Sequence, residues 1–123
     1  MNLKRYVDAG QVIDEMAASP PTDLLHGNVL NGMCWEVYEA SIKPNGDIPR
    51  ELIEASIRGS KKSCELDPEA NDKLDTLAHL IGVTGDLNRA IELETQAFER
   101  ETNPTEKSIY RKSLEKMRAK QRQ

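Results

Sequence analysis

Residues 71–104 read NDKLDTLAHLIGVTGDLNRAIELETQAFERETNP, and the fold class follows from how this stretch is punctuated. Leu74, Leu77, Ala78 and Ile81 recur at helical spacing, which places them on one face of a helix. Thr84-Gly85-Asp86 breaks that pattern, and Asp86 is a side chain suited to cap the helix that follows. Leu87, Ala90, Ile91, Glu94, Ala97 and Phe98 then resume helical spacing. Asn103-Pro104-Thr105-Glu106 supplies an Asn cap, a Pro at the first helical position and a Glu at the third, close to a capping box. The stretch is therefore two short helices joined by a tight turn, with a third helix beginning at its end.

The same plan occurs earlier in the chain. Leu30-Asn31-Gly32-Met33-Cys34-Trp35 parallels Leu74-Asp75-Thr76-Leu77-Ala78-His79, and Gly46-Asp47-Ile48-Pro49-Arg50 parallels Gly85-Asp86-Leu87-Asn88-Arg89. In this earlier copy Leu25, Val29, Met33 and Val37, flanked by Leu30, Cys34, Tyr38 and Ile42, form a wide apolar stripe on a helix capped by Asp23. Lys43-Pro44-Asn45-Gly46 marks a loop. Asp47-Ile48-Pro49 reads as a helix start, and that helix carries Leu52, Ile53, Ile57, Ser60 and Cys64; Asp67-Pro68 reads as the start of the next one. A first helix is expected over about residues 3–18, with Leu3, Tyr6, Val7, Ile13, Met16 and Ala17 near one face; Gly10 weakens it by about 1 kcal/mol relative to Ala. Ser19-Pro20-Pro21-Thr22 stops it, because a residue before Pro avoids the helical region. A last helix carries Ile109, Tyr110, Leu114 and Met117.

Residues 71–104 resemble a tetratricopeptide repeat, a helix–turn–helix unit. Leu77 and Ala78 match its small and apolar pair, Gly85-Asp86 its turn, and Ala90 and Ala97 the small positions where its second helix packs closely. Pro104 stands about two residues beyond the usual closing Pro, and the earlier copy has Ser56 and Ser63 where Ala is usual. The openings of the two copies also resemble the helical region C-terminal to some bacterial thioredoxin-like domains. The resemblance implies an all-α fold of about six helices, stacked as antiparallel hairpins in a right-handed superhelix. It divides one helical-repeat domain, 1–123, into an N-terminal capping helix (1–22), a degenerate repeat (23–68), a clearer repeat (69–104) and a basic C-terminal capping helix (105–123). Physics agrees in outline: one hairpin cannot cover its own apolar stripe, so hairpins stack. Leu30, Met33, Leu77, Ala78, Ala90, Ile91 and Ala97 are expected to be buried.

Composition fits thin helical layers. Apolar residues make up 37 % of the 123 residues, charged residues 31 % and aromatics only 4 %, so the core must rest on aliphatic and small side chains. The net charge of −4 is uneven: residues 1–104 carry ten basic and nineteen acidic side chains, while residues 105–123 carry seven basic and two acidic. That basic tail complements a helix C-terminus. With Tyr110 its only aromatic, it lacks the interleaved stacking platforms of a nucleic-acid surface, and nucleic acid is not an expected partner. No apolar run reaches the length of a membrane span, and Lys4, Arg5, Asp8, Asp14 and Glu15 exclude a signal-peptide core from the first twenty residues. A cytoplasmic location is expected if Met1 is the native start, and an exported one if a signal lies upstream.

The sequence offers little that reads as catalysis. No Gly-rich phosphate loop or nucleophile elbow is present, and Glu pairs such as Glu36/Glu39 and Glu92/Glu94 read as solvated faces. His26 and His79 are the only imidazoles and have neither a His-x-x-x-His nor a Cys-x-x-Cys partner spacing; no metal and no cofactor is expected. Cys34 and Cys64 lie among apolar neighbours and read as buried thiols. The family lines a concave groove with the first helix of each hairpin, which implies Asn31, Trp35 and Tyr38 from one repeat and Asp72, Asp75 and His79 from the other as candidate peptide-binding residues. The resulting expectation is a protein-interaction or scaffolding module without catalytic activity, its partner a protein or peptide. The alternative is an accessory domain of a thioredoxin-like redox protein.

Overall fold

The computed structural model describes residues 3–18, 24–44 and 46–123, with side chains from Tyr6 in the first segment and His26 in the second. Six helices account for nearly all of them: α1 Leu3–Ala18, α2 Leu24–Ser41, α3 Arg50–Leu66, α4 Asn71–Val83, α5 Leu87–Arg100 and α6 Pro104–Gln121. No strand occurs among the described residues, and the protein is all-α. The helices group into two compact units, residues 1–68 and 69–123.

In unit 1, α3 packs on both α1 and α2. It does so with a row of small residues: Ser56, Gly59, Ser60 and Ser63 are all buried. A Cβ at Gly59 would lie 2.6 Å from Ile13 Cγ2, 3.1 Å from Cys34 Sγ and 3.2 Å from Leu30 Cδ1. Only glycine lets α3 come this close to α1 and α2 at once. Ser63 Oγ donates to the Gly27 carbonyl at 3.2 Å, whereas the buried hydroxyls of Ser56 and Ser60 have no hydrogen-bond partner among the described residues. Outside the core, Arg58 holds Asp14 through two bonds of 2.9 and 3.0 Å, and His26 Nε2 lies 2.9 Å from the Met16 carbonyl.

In unit 2, α5 is the helix with two neighbours, α4 and α6. Ala78, Leu80, Ala90 and Ala97 are completely buried, with Leu74, Leu77, Ile81 and Leu93 around them and Tyr110, Leu114 and Met117 supplied by α6. Gly85 carries the turn with φ 97°, a conformation that costs an L side chain strain. Asp86 caps α5 by accepting from the Arg89 N–H at 3.1 Å. Asn103 caps α6, accepting from Thr105 and Glu106, and Pro104 occupies the first turn as the sequence reading has it. The Asn103 N–H donates to Glu101 at 3.0 Å, so that acceptor comes from upstream. Lys107 closes the other end of α5: its Nζ donates to the Phe98 carbonyl at 2.8 Å and sits 4.4 Å from the Phe98 ring centroid.

Several sequence expectations need correction. Asp47-Ile48-Pro49 does not start α3 with Pro in its first turn; Pro49 is the residue before the helix, and its carbonyl takes the Leu52 and Ile53 N–H groups. Asp67-Pro68 does not open α4 either. Asp67 ends α3, donating its N–H to Ser63 at 3.2 Å, and α4 begins at Asn71 after a turn. In both places a Pro-containing stretch is the linker rather than the first turn. Leu30, Leu77, Ala78, Ala90 and Ala97 are buried as expected, but Met33 and Ile91 are only half-buried. Val7, Val29, Ile42 and Ile109, read as stripe residues, are exposed. Helical spacing marks a face as apolar without fixing how much of it a neighbouring helix covers. The cap expected at Asp23 and the break at residues 19–22 fall outside the described residues, as do the side chains of Leu3 and Leu25.

Candidate functional site

The six groove candidates divide between the two units. In unit 1, Asn31, Trp35 and Tyr38 follow one another along α2 at four- and three-residue spacing, hence along one strip of its surface. All three are half-buried. The Trp35 and Tyr38 rings pair with centroids 5.0 Å apart and planes tilted by 39°, within the range where aromatic pairs attract beyond their burial. Asn31 Oδ1 is covered and accepts no hydrogen bond from the described residues.

In unit 2, Asp72 is exposed on the first turn of α4, but Asp75 and His79 are not displayed in the same way. Their side chains are only 14 % and 13 % exposed and turn toward α5. His79 Nδ1 lies 2.8 Å from the Asp75 carbonyl, 3.2 Å from Asp75 Oδ1 and 4.0 Å from Oε1 of Glu94. Glu94 is fully buried, which corrects its reading as part of a solvated face. Its neighbour Glu92 does face solvent, paired to Arg89 at 2.9 Å. The signal for the difference was present: Glu94 falls between Ala90 and Ala97 on the packed stripe of α5, while Glu92 lies off it.

Electrostatics explains how these carboxylates coexist. Burial pushes the Glu94 carboxyl well above its ordinary 4.5, and the adjacent Asp75 pushes it further in the same direction. At neutral pH Glu94 therefore keeps its proton. Burial acts to lower the proton affinity of His79, but the hydrogen bond and charge of Asp75 outweigh it, with Lys116 opposing, and the net effect is upward from 6.5. The buried Tyr110 phenol is raised by burial first and next by the charge of Asp75. Asp75, His79 and Glu94 each place one ligand-capable atom within 4.8 Å of the other two. The repeat resemblance puts Asp75 and His79 among the groove candidates, but spacing does not connect them to Glu94, which is fifteen residues beyond His79 and on another helix.

Cys34 and Cys64 are not joined in a disulfide; Cys34 is buried as expected, but Cys64 is only half-buried. Burial, and secondarily Cys64, pushes the Cys34 thiol up to about 12, so it stays protonated and non-nucleophilic at neutral pH. A shallow pocket lined by Phe98, Pro104, Lys107, Ser108 and Arg111 lies at the α5–α6 turn, a place the sequence reading did not single out. No described helix is long and apolar enough to cross a membrane. Comparison with protein-family models, with curated proteins and with solved structures finds no match to this chain.

Proposed function

We propose that the chain is a tetratricopeptide-like protein-interaction module without catalytic activity of its own, and that the α2 strip Asn31–Trp35–Tyr38 receives a peptide segment of a partner. The observation that carries this reading is the tilted, half-buried Trp35–Tyr38 pair. Two rigid rings held against each other offer contact area at little entropic cost, the property that concentrates binding energy in aromatic anchors. Asp72 is the groove candidate of unit 2 that keeps an exposed carboxylate, since Asp75 and His79 are engaged with Glu94. With nineteen acidic against ten basic side chains in residues 1–104, the favoured ligand carries at least one basic residue.

Trp35 is the sole tryptophan, so its emission reports on this strip directly. A displayed random-peptide library panned against the intact chain is expected to enrich sequences with Lys or Arg that shift Trp35 emission and lose binding to Trp35→Ala. Failure to enrich any peptide, or enriched peptides that bind Trp35→Ala as well as the parent chain, would overturn the reading.

A further inference from the structure

We propose that Asp75, His79 and Glu94 form a binding site for a divalent transition-metal ion, best matched by Zn2+, which ties α4 to α5. This is independent of the peptide-binding reading.

The donor set comes first. One imidazole and two carboxylates suit zinc, whereas calcium takes six to eight oxygen ligands and magnesium rarely accepts nitrogen. The spacing comes next. Ligand atoms around a tetrahedral zinc, with bonds of about 2.0–2.1 Å, lie about 3.3 Å apart. Asp75 Oδ1 and His79 Nδ1 already stand 3.2 Å apart, one helical turn from each other on α4. Oε1 of Glu94, at 4.0 Å from the same nitrogen, reaches the shell by a side-chain shift of about 0.7 Å. The remaining coordination position is left to a solvent molecule.

A separate observation favours a cation at this place. Glu94 is 0 % exposed, yet neither of its oxygens accepts a hydrogen bond from a described donor, and its polar neighbour is the Asp75 carboxylate, another acceptor. Buried carboxylates without donors are rare in folded proteins and call for a specific explanation. In the metal-free state that explanation is protons: one on Glu94, and a fuller charge on His79. A zinc ion supplies two positive charges at the same place, balancing the two ionised carboxylates while His79 becomes a neutral ligand. The Nδ1 proton that now points to the Asp75 carbonyl must then move or leave, so metal uptake displaces protons. Tyr110 and Lys116 also interact electrostatically with members of the cluster, and the positive charge of Lys116 opposes an extra cation only weakly beside two carboxylates.

The test is isothermal titration of ZnCl2 into the EDTA-treated full chain, run in buffers of differing ionisation enthalpy. One ion per chain is expected to bind with release of at least one proton, more tightly at pH 8 than at pH 6. Glu94→Gln, which keeps shape and burial, is expected to lose more than about 100-fold in affinity, beyond what removing a merely supporting partner costs. Glu92→Gln, on the solvated side of α5, is expected to bind as the parent does. Co2+ in the parent chain should give the intense visible absorption of a tetrahedral site, a readout that stands if Glu94→Gln does not fold. No zinc heat, a Co2+ spectrum of the free aqua ion, or equal affinity in a folded Glu94→Gln chain would each overturn the proposal.

Discussion

The two units solve the same packing problem with different central helices. In unit 1 the helix that packs most extensively on both others is α3, with α1 and α2 touching each other more lightly, and in unit 2 it is α5. Both helices carry small residues where neighbours approach: Ser56, Gly59, Ser60 and Ser63 in one, Ala90 and Ala97 in the other. They differ in what polarity they bury. The buried polar side chains described in unit 1 are hydroxyls, which are neutral at every pH of interest; unit 2 buries the Thr76 hydroxyl too, but with it Lys73 and, against Asp75 and His79, Glu94, which are ionisable. Close helix contact is therefore compatible with either neutral or ionisable polar groups, and the choice decides how each unit answers to its solvent.

Steric substitution at the close contacts should have the largest effect. Gly59→Ala is expected to destabilise unit 1 by about 1–3 kcal/mol, because its new Cβ meets the stiff β-branch of Ile13 on one side and Cys34 and Leu30 on the other. Ala90→Leu should cost unit 2 a similar amount, about 1–3 kcal/mol. Urea melts followed by Trp35 emission for unit 1 and by circular dichroism for both would show it. An unchanged midpoint for either variant would mean that the contact relaxes freely, and the comparison of tight central helices would fail.

Protonation should separate the units next. The folded form of unit 2 holds protons on Glu94 and His79 that the unfolded chain releases at about their ordinary values of 4.5 and 6.5. Over that window and upward the folded state binds more protons than the unfolded one, so stability falls as pH rises. The contribution of each group is complete below its unfolded value and is lost as pH climbs toward the raised folded value. Metal-free unit 2 should thus melt at progressively lower temperature from about pH 5 to pH 9, and Glu94→Gln should flatten most of that slope. If the Trp35-reported transition of unit 1 shows the same slope as unit 2, the buried carboxylates are not its source.

Smaller effects sharpen the contrast. Ser60→Ala removes a buried hydroxyl that has no partner among the described residues and should stabilise unit 1 by about 1 kcal/mol. In unit 2 a Cβ at Gly82 would meet Ala90 Cβ at an ordinary 3.6 Å, so Gly82→Ala should add about 0.5–1 kcal/mol, the opposite sign to Gly59→Ala. Chemical denaturation measures both; a loss in either case would show that the site is tighter than its geometry. Smallest of all, Arg58→Ala breaks a bidentate pair with Asp14 whose members are about half exposed, and should cost between about 0 and 1 kcal/mol, less at high salt.

The fold was legible where local chemistry dominates. Asp86 and Asn103 have no better use than as caps, Gly85 is the residue for a positive φ, and Ala78, Ala90 and Ala97 repeat at helical spacing. Legibility failed at Pro49 and Pro68, where the fixed φ of Pro suits a linker as well as a first helical turn. It failed again at Val29, Ile42 and Ile109, because periodicity shows that a stripe is apolar but not how much of it a neighbour covers. Of the candidate site, the α2 strip could be read along one helix. The Asp75–His79–Glu94 cluster could not, since it depends on which face of α5 meets which face of α4, a fact of packing rather than of spacing.

The 2.6 Å approach at Gly59 also bears on how this sequence can change over time. A lineage that replaces Gly59 first bears the full steric cost, because every L side chain begins with the Cβ that meets Ile13. If Ile13→Leu comes first, the branch methyl is gone while the volume stays, at a cost below about 1.5 kcal/mol, and the closest of the three contacts at position 59 is relieved. The two positions, forty-six residues apart, are therefore coupled in history: the same pair of substitutions passes through a less destabilised intermediate in one order than in the other.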